Sequence, residues 1–355
     1  MKILVNALSG IGDALMFTPA LKILKEIIPN SIIDILVMYS AVRDLFENNP
    51  AVHQVYFVDF FKQSKFKSLK DVKKLRKNKY DFSVNVYPSN RFEYNFLNFL
   101  LGAKKRISFK YVYSGFFRME YLNNIIIPEE KNIHNVIQNI KILDVFDKNH
   151  GKEAGPMQIF IPDEFMNKAK KWMSENNLSE NTLVGVHAGS STLKNHINKR
   201  WNVDKYVLLL EKLMKNYNAK ILLFGSELDV NSYLQNKLGS DSVQASTDNF
   251  LDSAARLGFC KLFVTNDTAF LHSASAMEVP VVAIFGYTNA KELYPWKTRN
   301  VVVRKELDCS PCFYNSPKPA RCLWKDENEF KCIKSIEVDE VYKACTELLD
   351  KKPNL

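Results

Sequence analysis

The sequence predicts an α/β protein built of two doubly wound, parallel-sheet domains. Three observations carry this reading. Both halves of the 355-residue chain alternate short apolar runs with amphipathic stretches of helical period. The halves are joined by "KNHGKEAGPMQIFIPDE" (148–164), rich in Gly, Pro and charge. The length suffices for two domains of ordinary size. We place the domains at 1–160 and 161–335, followed by a closing amphipathic helix within 336–355.

In the first half, "KILVNAL" (2–8) reads as a buried strand. Residues 13–28 carry Leu15, Met16, Leu21, Leu24 and Ile28 at helical spacing, and Pro29 closes the helix. "SIIDILVMY" (31–39), "HQVYFVD" (53–59) and "YDFSVNVYP" (80–88) are further strands, with helical stretches between them. In the second half "TLVGVHAG" (182–189), "AKILLFG" (219–225), "CKLFVTND" (260–267) and "VVAIFG" (281–286) read as strands. Helices fit 203–216, 227–237, 250–257 and 268–278.

The bulk numbers are those of a globular chain: 46% hydrophobic and 25% charged residues, with no apolar run near the ~18 residues of a membrane span. We read the N-terminus as mature protein rather than a signal peptide, because Asp13 and two glycines interrupt its apolar stretch. The expected location is the cytoplasm, and six cysteines there do not read as a disulfide framework. The formal net charge is +10 and is unevenly placed. Residues 1–160 hold 23 Lys and Arg against 15 Asp and Glu, while 161–355 hold 26 against 24. The densest basic run is "FKQSKFKSLKDVKKLRKNK" (61–79), followed by "KKRISFK" (104–110). This is either a solvated helix face or a platform for an acidic partner such as a phosphorylated lipid or anionic glycan. Nucleic acid is disfavoured because no zinc-finger, helix-turn-helix or RNP-type motif accompanies the charge.

Doubly wound domains bind ligands at the carboxyl ends of their strands. The first such end, "VNALSGIGDALMFTPAL" (5–21), nearly spells a dinucleotide loop. Gly10 and Gly12 are present, but the third glycine position is Leu15, and the second strand ends Val37-Met38-Tyr39 without a ribose-binding acid. Asp13 would occupy the helix start where a pyrophosphate would otherwise sit. A helix dipole favours one anion there, not two. The loop therefore binds no phosphate and presents a carboxylate, either as a general base for a hydroxyl or as a plain N-cap. A Rossmann oxidoreductase is disfavoured on the same grounds.

The second-half strand ends suit a diphosphate. "HAGSSTLKNHINKRW" (187–201) supplies small, hydroxylated and basic residues, "FGSE" (224–227) ends the next strand, and "TNDTAFLHSASA" (265–276) runs through Asp267 and Thr268 into a helix start. Lys199 or Arg200 would add charge for a leaving diphosphate. Asp267 and His272 each have a structural reading, as N-cap and as buried histidine, beside the functional one.

"LSGIGDALMFTPAL", "VGVHAGSS…KRW", "LLFGSE" and "LFVTNDTAFLHSASAMEVPVVAIFGYTN", in that order, resemble glycosyltransferase family 9, the ADP-heptose:lipopolysaccharide heptosyltransferases. The resemblance spans about residues 1–30 and 182–290. It implies a GT-B architecture, two Rossmann-like domains facing a central cleft, with acceptor on the first and nucleotide sugar on the second. The closing helix would then pack back on the first domain. The resemblance also implies inverting transfer with no cofactor and no catalytic metal. In agreement, no two Asp residues form the D-x-D that holds a divalent cation in many other glycosyltransferases. By motif, the catalytic base falls on Asp13 and the charge-stabilising cation on Lys199. Substrate contacts fall on Gly12, Ser190, Ser191, Lys199, Glu227, Asp267, Thr268, Ala269 and His272. The family usually has Gly after Asp-Thr. Here Ala269 adds a methyl group where backbone would approach the diphosphate. The implied partners are ADP-heptose and an acidic, lipid-linked core saccharide, with peripheral contact to the cytoplasmic face of the inner membrane through 61–79. A relative using another nucleotide sugar or acceptor, and a non-catalytic sugar-binding protein, are the alternatives.

Cys309, Cys312, Cys322 and Cys332 form a separate cluster. A C-x2-C pair followed by two more thiols either closes a tetrahedral structural metal site or holds free thiols. The second pair is spaced by nine residues rather than two, which weakens the metal reading. Cys260 and Cys345 read as core residues.

Overall fold

The computed structural model describes residues 1–113, 116–314 and 319–350. The chain divides into two units, one over Met1–Phe160 and one beginning at Ile161.

The first unit contains β1 (Lys2–Ala7), α1 (Ile11–Ile27), β2 (Ile32–Val37), α2 (Ser40–Glu47), β3 (Gln54–Phe57), α3 (Lys65–Arg76), β4 (Phe82–Asn85), α4 (Phe92–Leu101), β5 (Lys105–Lys110), β6 (Ile125–Pro128) and α5 (Asn135–Ile140). Its six strands are parallel, in the order β3-β2-β1-β4-β5-β6. The strand order reverses between β1 and β4, and that reversal is the topological switch point. β1 and β2 are buried on both faces after their first residue, which is why they read as unbroken apolar runs.

β5 differs from the sequence reading. "KKRISFK" was expected only as part of a basic surface; its centre, Ile107, Ser108 and Phe109, is fully buried and pairs with β4 and β6. The charged ends of the strand hide a short apolar middle. Beneath the switch point lies a buried asparagine network. Asn6 donates to the Oδ1 atoms of Asn85 (3.0 Å) and Asn98 (2.9 Å). Ser108 and Asn123 donate to Asn95 Oδ1 at 2.7 and 2.9 Å. Asn98 donates to Asn123 Oδ1 at 2.8 Å. Each amide nitrogen finds an acceptor, which offsets much of the cost of burial, while Asn6 Oδ1 has no partner among the described residues.

The second unit contains α6 (Asp163–Glu175), β7 (Thr182–His187), α7 (Val203–Tyr217), β8 (Ala219–Leu223), α8 (Leu228–Leu238), β9 (Ser242–Gln244), α9 (Phe250–Leu257), β10 (Leu262–Asn266), α10 (Ala269–Ala276), β11 (Val281–Phe285), α11 (Ala290–Leu293), β12 (Asn300–Arg304), α12 (Lys331–Lys334) and α13 (Val338–Asp350). Its sheet, β12-β11-β10-β7-β8-β9, is also parallel and has the same topology, with its switch point between β7 and β10. Alternate strand residues serve opposite faces. Val184, Val186, Ile221, Leu223, Val264 and Ile284 face α7, while Leu183, Leu222, Phe263, Ala283 and Phe285 face α9 and α10. Asn202 caps α7 by accepting from Asp204 N at 2.7 Å.

The closing helix, α13, belongs to the second unit's core. Val341, Ala344, Cys345 and Leu348 are buried with Leu210, Leu213 and Val282, and Trp201 Nε1 donates to Ile336 O at 2.9 Å just before it. Its amphipathic face meets the nearest apolar surface, which is that of α7 and β10–β12.

Candidate active site

Each unit places its chemistry at its own switch point. In the first, α1 begins at N-cap Gly10, which makes no side-chain cap, and Gly12 and Asp13 lie in the first turn. Asp13 is therefore not the N-cap; it is an acid within the first turn of the helix, where the dipole favours a negative charge. Two side chains pin the β1–α1 loop. Ser9 Oγ donates to Pro88 O at 2.7 Å, and Tyr94 Oη donates to Leu8 O at 3.1 Å. The loop after β4 is held in turn, with Asn139 bonding Tyr87 at both N (2.9 Å) and O (3.0 Å). Tyr39, Arg91 and Tyr94 share the electrostatic surroundings of Asp13. Burial pushes the Tyr94 hydroxyl up to about 12, with smaller effects from Tyr39, Arg91 and Asp13.

In the second unit the loops after β7, β8 and β10 converge. Lys199 Nζ donates to Asp267 Oδ2 at 2.7 Å, and both side chains are largely buried. Burial pushes the Asp267 carboxyl up, but the Lys199 ammonium outweighs it and holds the group below the usual carboxylate range. Asp267 precedes the true N-cap, Thr268, which makes no side-chain cap to α10. The first-turn N–H groups of α10 are thus not occupied by a capping side chain.

A second chain of contacts runs beside this pair. Glu227 Oε2 accepts from His187 Nε2 at 3.2 Å, and His187 Nδ1 bonds Thr268 Oγ1 at 2.9 Å. A carboxylate only accepts, so the proton sits on Nε2 and the threonine hydroxyl donates to Nδ1 when the ring is neutral. Burial pushes the Glu227 carboxyl up, and the hydrogen bond from His187 outweighs that and lowers it. Two glycines make room for the arrangement. A Cβ on Gly189 would lie 2.4 Å from Glu227 Cδ, and one on Gly225, at φ +106°, would lie 2.5 Å from His187 Cδ2.

The remaining expected residues divide. Ser190 is buried, donates to His196 O at 2.8 Å, and is held by Arg200, which donates to its carbonyl at 2.8 Å. Ser191 is exposed, and its Oγ accepts from Leu193 N at 3.1 Å. Ala269 opens α10. His272 is buried one turn further, its Nδ1 without a hydrogen-bond partner among the described residues. Burial lowers its pKa to about 4, so the ring is neutral near pH 7.

Sequence reasoning missed His187 and Asn266. Asn266 Nδ2 donates to the carbonyls of Ala188 (3.0 Å) and Gly189 (3.1 Å), while its Oδ1 accepts from Trp201 N (3.0 Å) and Tyr206 Oη (3.1 Å). It ties the β7 loop to β10. The only signal was a polar residue at the end of each apolar strand, "VGVH" and "FVTN".

The four clustered cysteines are free thiols. They line a cavity of about 290 Å³ together with Tyr287, Trp324 and Phe330. Burial, with help from the neighbouring thiols, pushes Cys332 up to about 11. Among the described residues no group of three or more His, Cys, Asp or Glu side chains is arranged to hold a metal ion.

Comparison with known proteins identifies the fold and the family. The chain is 23% identical over 362 residues to lipooligosaccharide heptosyltransferase 2 of Campylobacter jejuni, covering 98% of this chain and 99% of the relative. Its fold matches a glycosyl transferase family 9 crystal structure from Veillonella parvula, with TM-score 0.78, 21% identity, and 99% and 97% of the two chains covered. It also matches the structure of E. coli ADP-heptose LPS heptosyltransferase II, with TM-score 0.74, 21% identity and 98% of each chain covered. The two Rossmann-like units are therefore those of a GT-B fold. The family model described as glycosyltransferase family 9 (heptosyltransferase) matches residues 69–320, a span that contains the whole second-unit site and begins after the Asp13 loop. The chain belongs to glycosyltransferase family 9 and is a glycosyltransferase.

Proposed function

We propose that the protein transfers heptose from ADP-heptose to an inner-core saccharide of lipopolysaccharide, with inversion at the anomeric carbon and without a catalytic metal. The observation that carries this reading is the charge arrangement around α10. A buried ammonium, Lys199, is oriented by Asp267 beside a helix start whose N-cap side chain, that of Thr268, makes no cap. An ammonium has three N–H donors, and Asp267 faces two of them, with Oδ2 at 2.7 Å and its own carbonyl at 3.5 Å. The third and the α10 N–H groups suit a diphosphate. The names of the relatives, which include heptosyltransferases and an ADP-heptose-using enzyme, support the donor and acceptor classes.

Asp13 takes the proton of an acceptor hydroxyl. That oxygen bonds to the anomeric carbon from the face opposite the diphosphate, whose C–O bond breaks, and ADP departs with the electron pair. Lys199 and the α10 helix start balance the charge that develops on the leaving phosphate. His272, neutral and buried, offers a hydrogen bond at the same helix turn. Glu227, ionised and held by His187, serves the ribose hydroxyls. Gly12 allows close approach of the acceptor to the α1 start, and Ser190, Ser191, Thr268 and Ala269 line the donor side. The basic first unit attracts the acidic, lipid-linked acceptor, and contact with the inner membrane runs through 61–79. Among the described residues no helix is long and apolar enough to cross a membrane.

The test follows ADP release with ADP-heptose and truncated lipopolysaccharide, for wild type and Asp13→Asn. The expected result is release by wild type, loss of release in the variant, and unchanged donor binding in both. Donor binding without release from either protein would favour a binding protein, and release from another nucleotide sugar alone would change the donor.

A further inference from the structure

Helix α4 buries Leu97 and Leu101 together with Asn95 and Asn98, and exposes Phe92, Phe96 and Phe99, at 47%, 44% and 43% of their surface. Those positions follow i, i+4, i+7 and share one helix face. A surface helix ordinarily turns polar residues to that side. The buried amides are accounted for by the network described above, but nothing in that network requires phenylalanine outside. The neighbouring helix, α3, packs beside α4 and exposes Phe66 (89%) and Leu69 (43%). Around these, 61–79 carries nine Lys and Arg residues, all exposed, against the single acid Asp71. Glu93 is the exposed acid on α4, and Arg91 lies 3.7 Å from it.

We propose that α3 and α4 together form a docking face for an anionic phospholipid bilayer, in which Phe92, Phe96 and Phe99 insert below the headgroups while the α3 cations meet lipid phosphates. Exposed aromatic side chains flanked by lysines are the composition of an interfacial anchor, with apolar insertion and charge attraction acting together. A partner protein with an apolar groove would satisfy the phenylalanines but not nine cations set against one acid, Asp71, which Lys67 faces at 3.5 Å. A second copy of the chain would bring like charge to like charge. The inference extends the membrane contact proposed above from 61–79 to α4, and its test does not depend on sugar transfer.

The experiment is vesicle co-sedimentation with phosphatidylglycerol-containing and pure phosphatidylcholine vesicles, neither carrying acceptor. Wild type is expected to sediment with the anionic vesicles, and to be released by high salt. The combined Phe92→Ser, Phe96→Ser and Phe99→Ser variant is expected to bind at least tenfold more weakly, with its turnover of a soluble, delipidated acceptor unchanged. Phe96→Trp gives a second readout, a blue-shifted emission on adding anionic vesicles. Binding by the serine variant equal to wild type, or no spectral shift in the tryptophan variant, overturns the proposal. So does a wild-type dimer by light scattering that the serine changes dissociate and that ignores vesicles. Loss of transfer with vesicle binding intact would instead count against the proposed reaction.

Discussion

The two switch points share a topology and differ in chemistry. In the first unit, the loop after β1 carries an acid into the first turn of α1 and is fixed by neutral hydroxyls, Ser9 and Tyr94. In the second, the equivalent loop leads to a buried cation, Lys199, and the loop after the fourth strand supplies its counter-ion. Even the last residues of the fourth strands correspond, Asn85 in β4 and Asn266 in β10, both fully buried. Asn85 joins a side-chain network beneath the switch point, whereas Asn266 spends its amide on the carbonyls of a loop. The contrast teaches that the doubly wound framework fixes where a ligand goes and leaves its charge to a few strand-end residues. On the proposed function, one end wakes a hydroxyl and the other receives a diphosphate.

The sharpest way to break this contrast is Asp13→Asn. Transfer should fall by about 10²–10⁴-fold, the range for losing a general base, with melting temperature and ADP affinity unchanged. Steady-state ADP release and calorimetric binding check both halves.

Lys199→Ala should act on the other end. Removing one partner of a buried pair leaves Asp267 uncompensated, so stability should drop by roughly 3–5 kcal/mol, and transfer by about 10²–10³-fold. Denaturant melts and initial rates separate the two. Lys199→Arg should restore most of the stability.

Asn266→Ala should cost ~2–3 kcal/mol, because two carbonyls and two donors lose a shared partner. Hydrogen exchange should rise first in the β7 loop. An exchange pattern unchanged at 188–190 would show that the loop is held by something else.

The smallest expected effect is one of pH. His272 has a folded pKa of about 4, below the ordinary value of 6.5. The unfolded chain therefore binds the extra proton first, so the stabilising contribution is full above 6.5 and is lost as pH falls toward 4. Between pH 8 and 5.5 this amounts to on the order of 1 kcal/mol. His272→Gln should remove that part of the acid sensitivity, measured as melting temperature against pH.

Much of this was legible in the sequence because buried parallel strands leave unbroken apolar runs, and because strand ends announce themselves by a change to Gly, Ser, Asp or His. β1, β2, β7, β8, β10 and β11 were found that way. β5 was not, since Lys105, Arg106 and Lys110 mask its three buried residues. Short strands such as β9, three residues long, leave too little period to see. Lys199, a cation on another strand-end loop, accounts for an acid beside a helix start suited to a phosphate, since its ammonium pairs with Asp267 across 68 residues of sequence. His187 was invisible for a different reason. A histidine ending an apolar strand carries no local pattern that separates a hinge between Glu227 and Thr268 from a core residue. The reach of α13 into the second unit depends on which apolar surface lies nearest, which no local signal encodes.

The most direct test of this division of labour is hydrogen–deuterium exchange of the intact protein with and without ADP. We predict protection confined to the second unit, at 187–200, 225–227 and 266–272, with exchange at 9–15 unchanged. Protection of residues 9–15 by ADP, with none at 266–272, would contradict it.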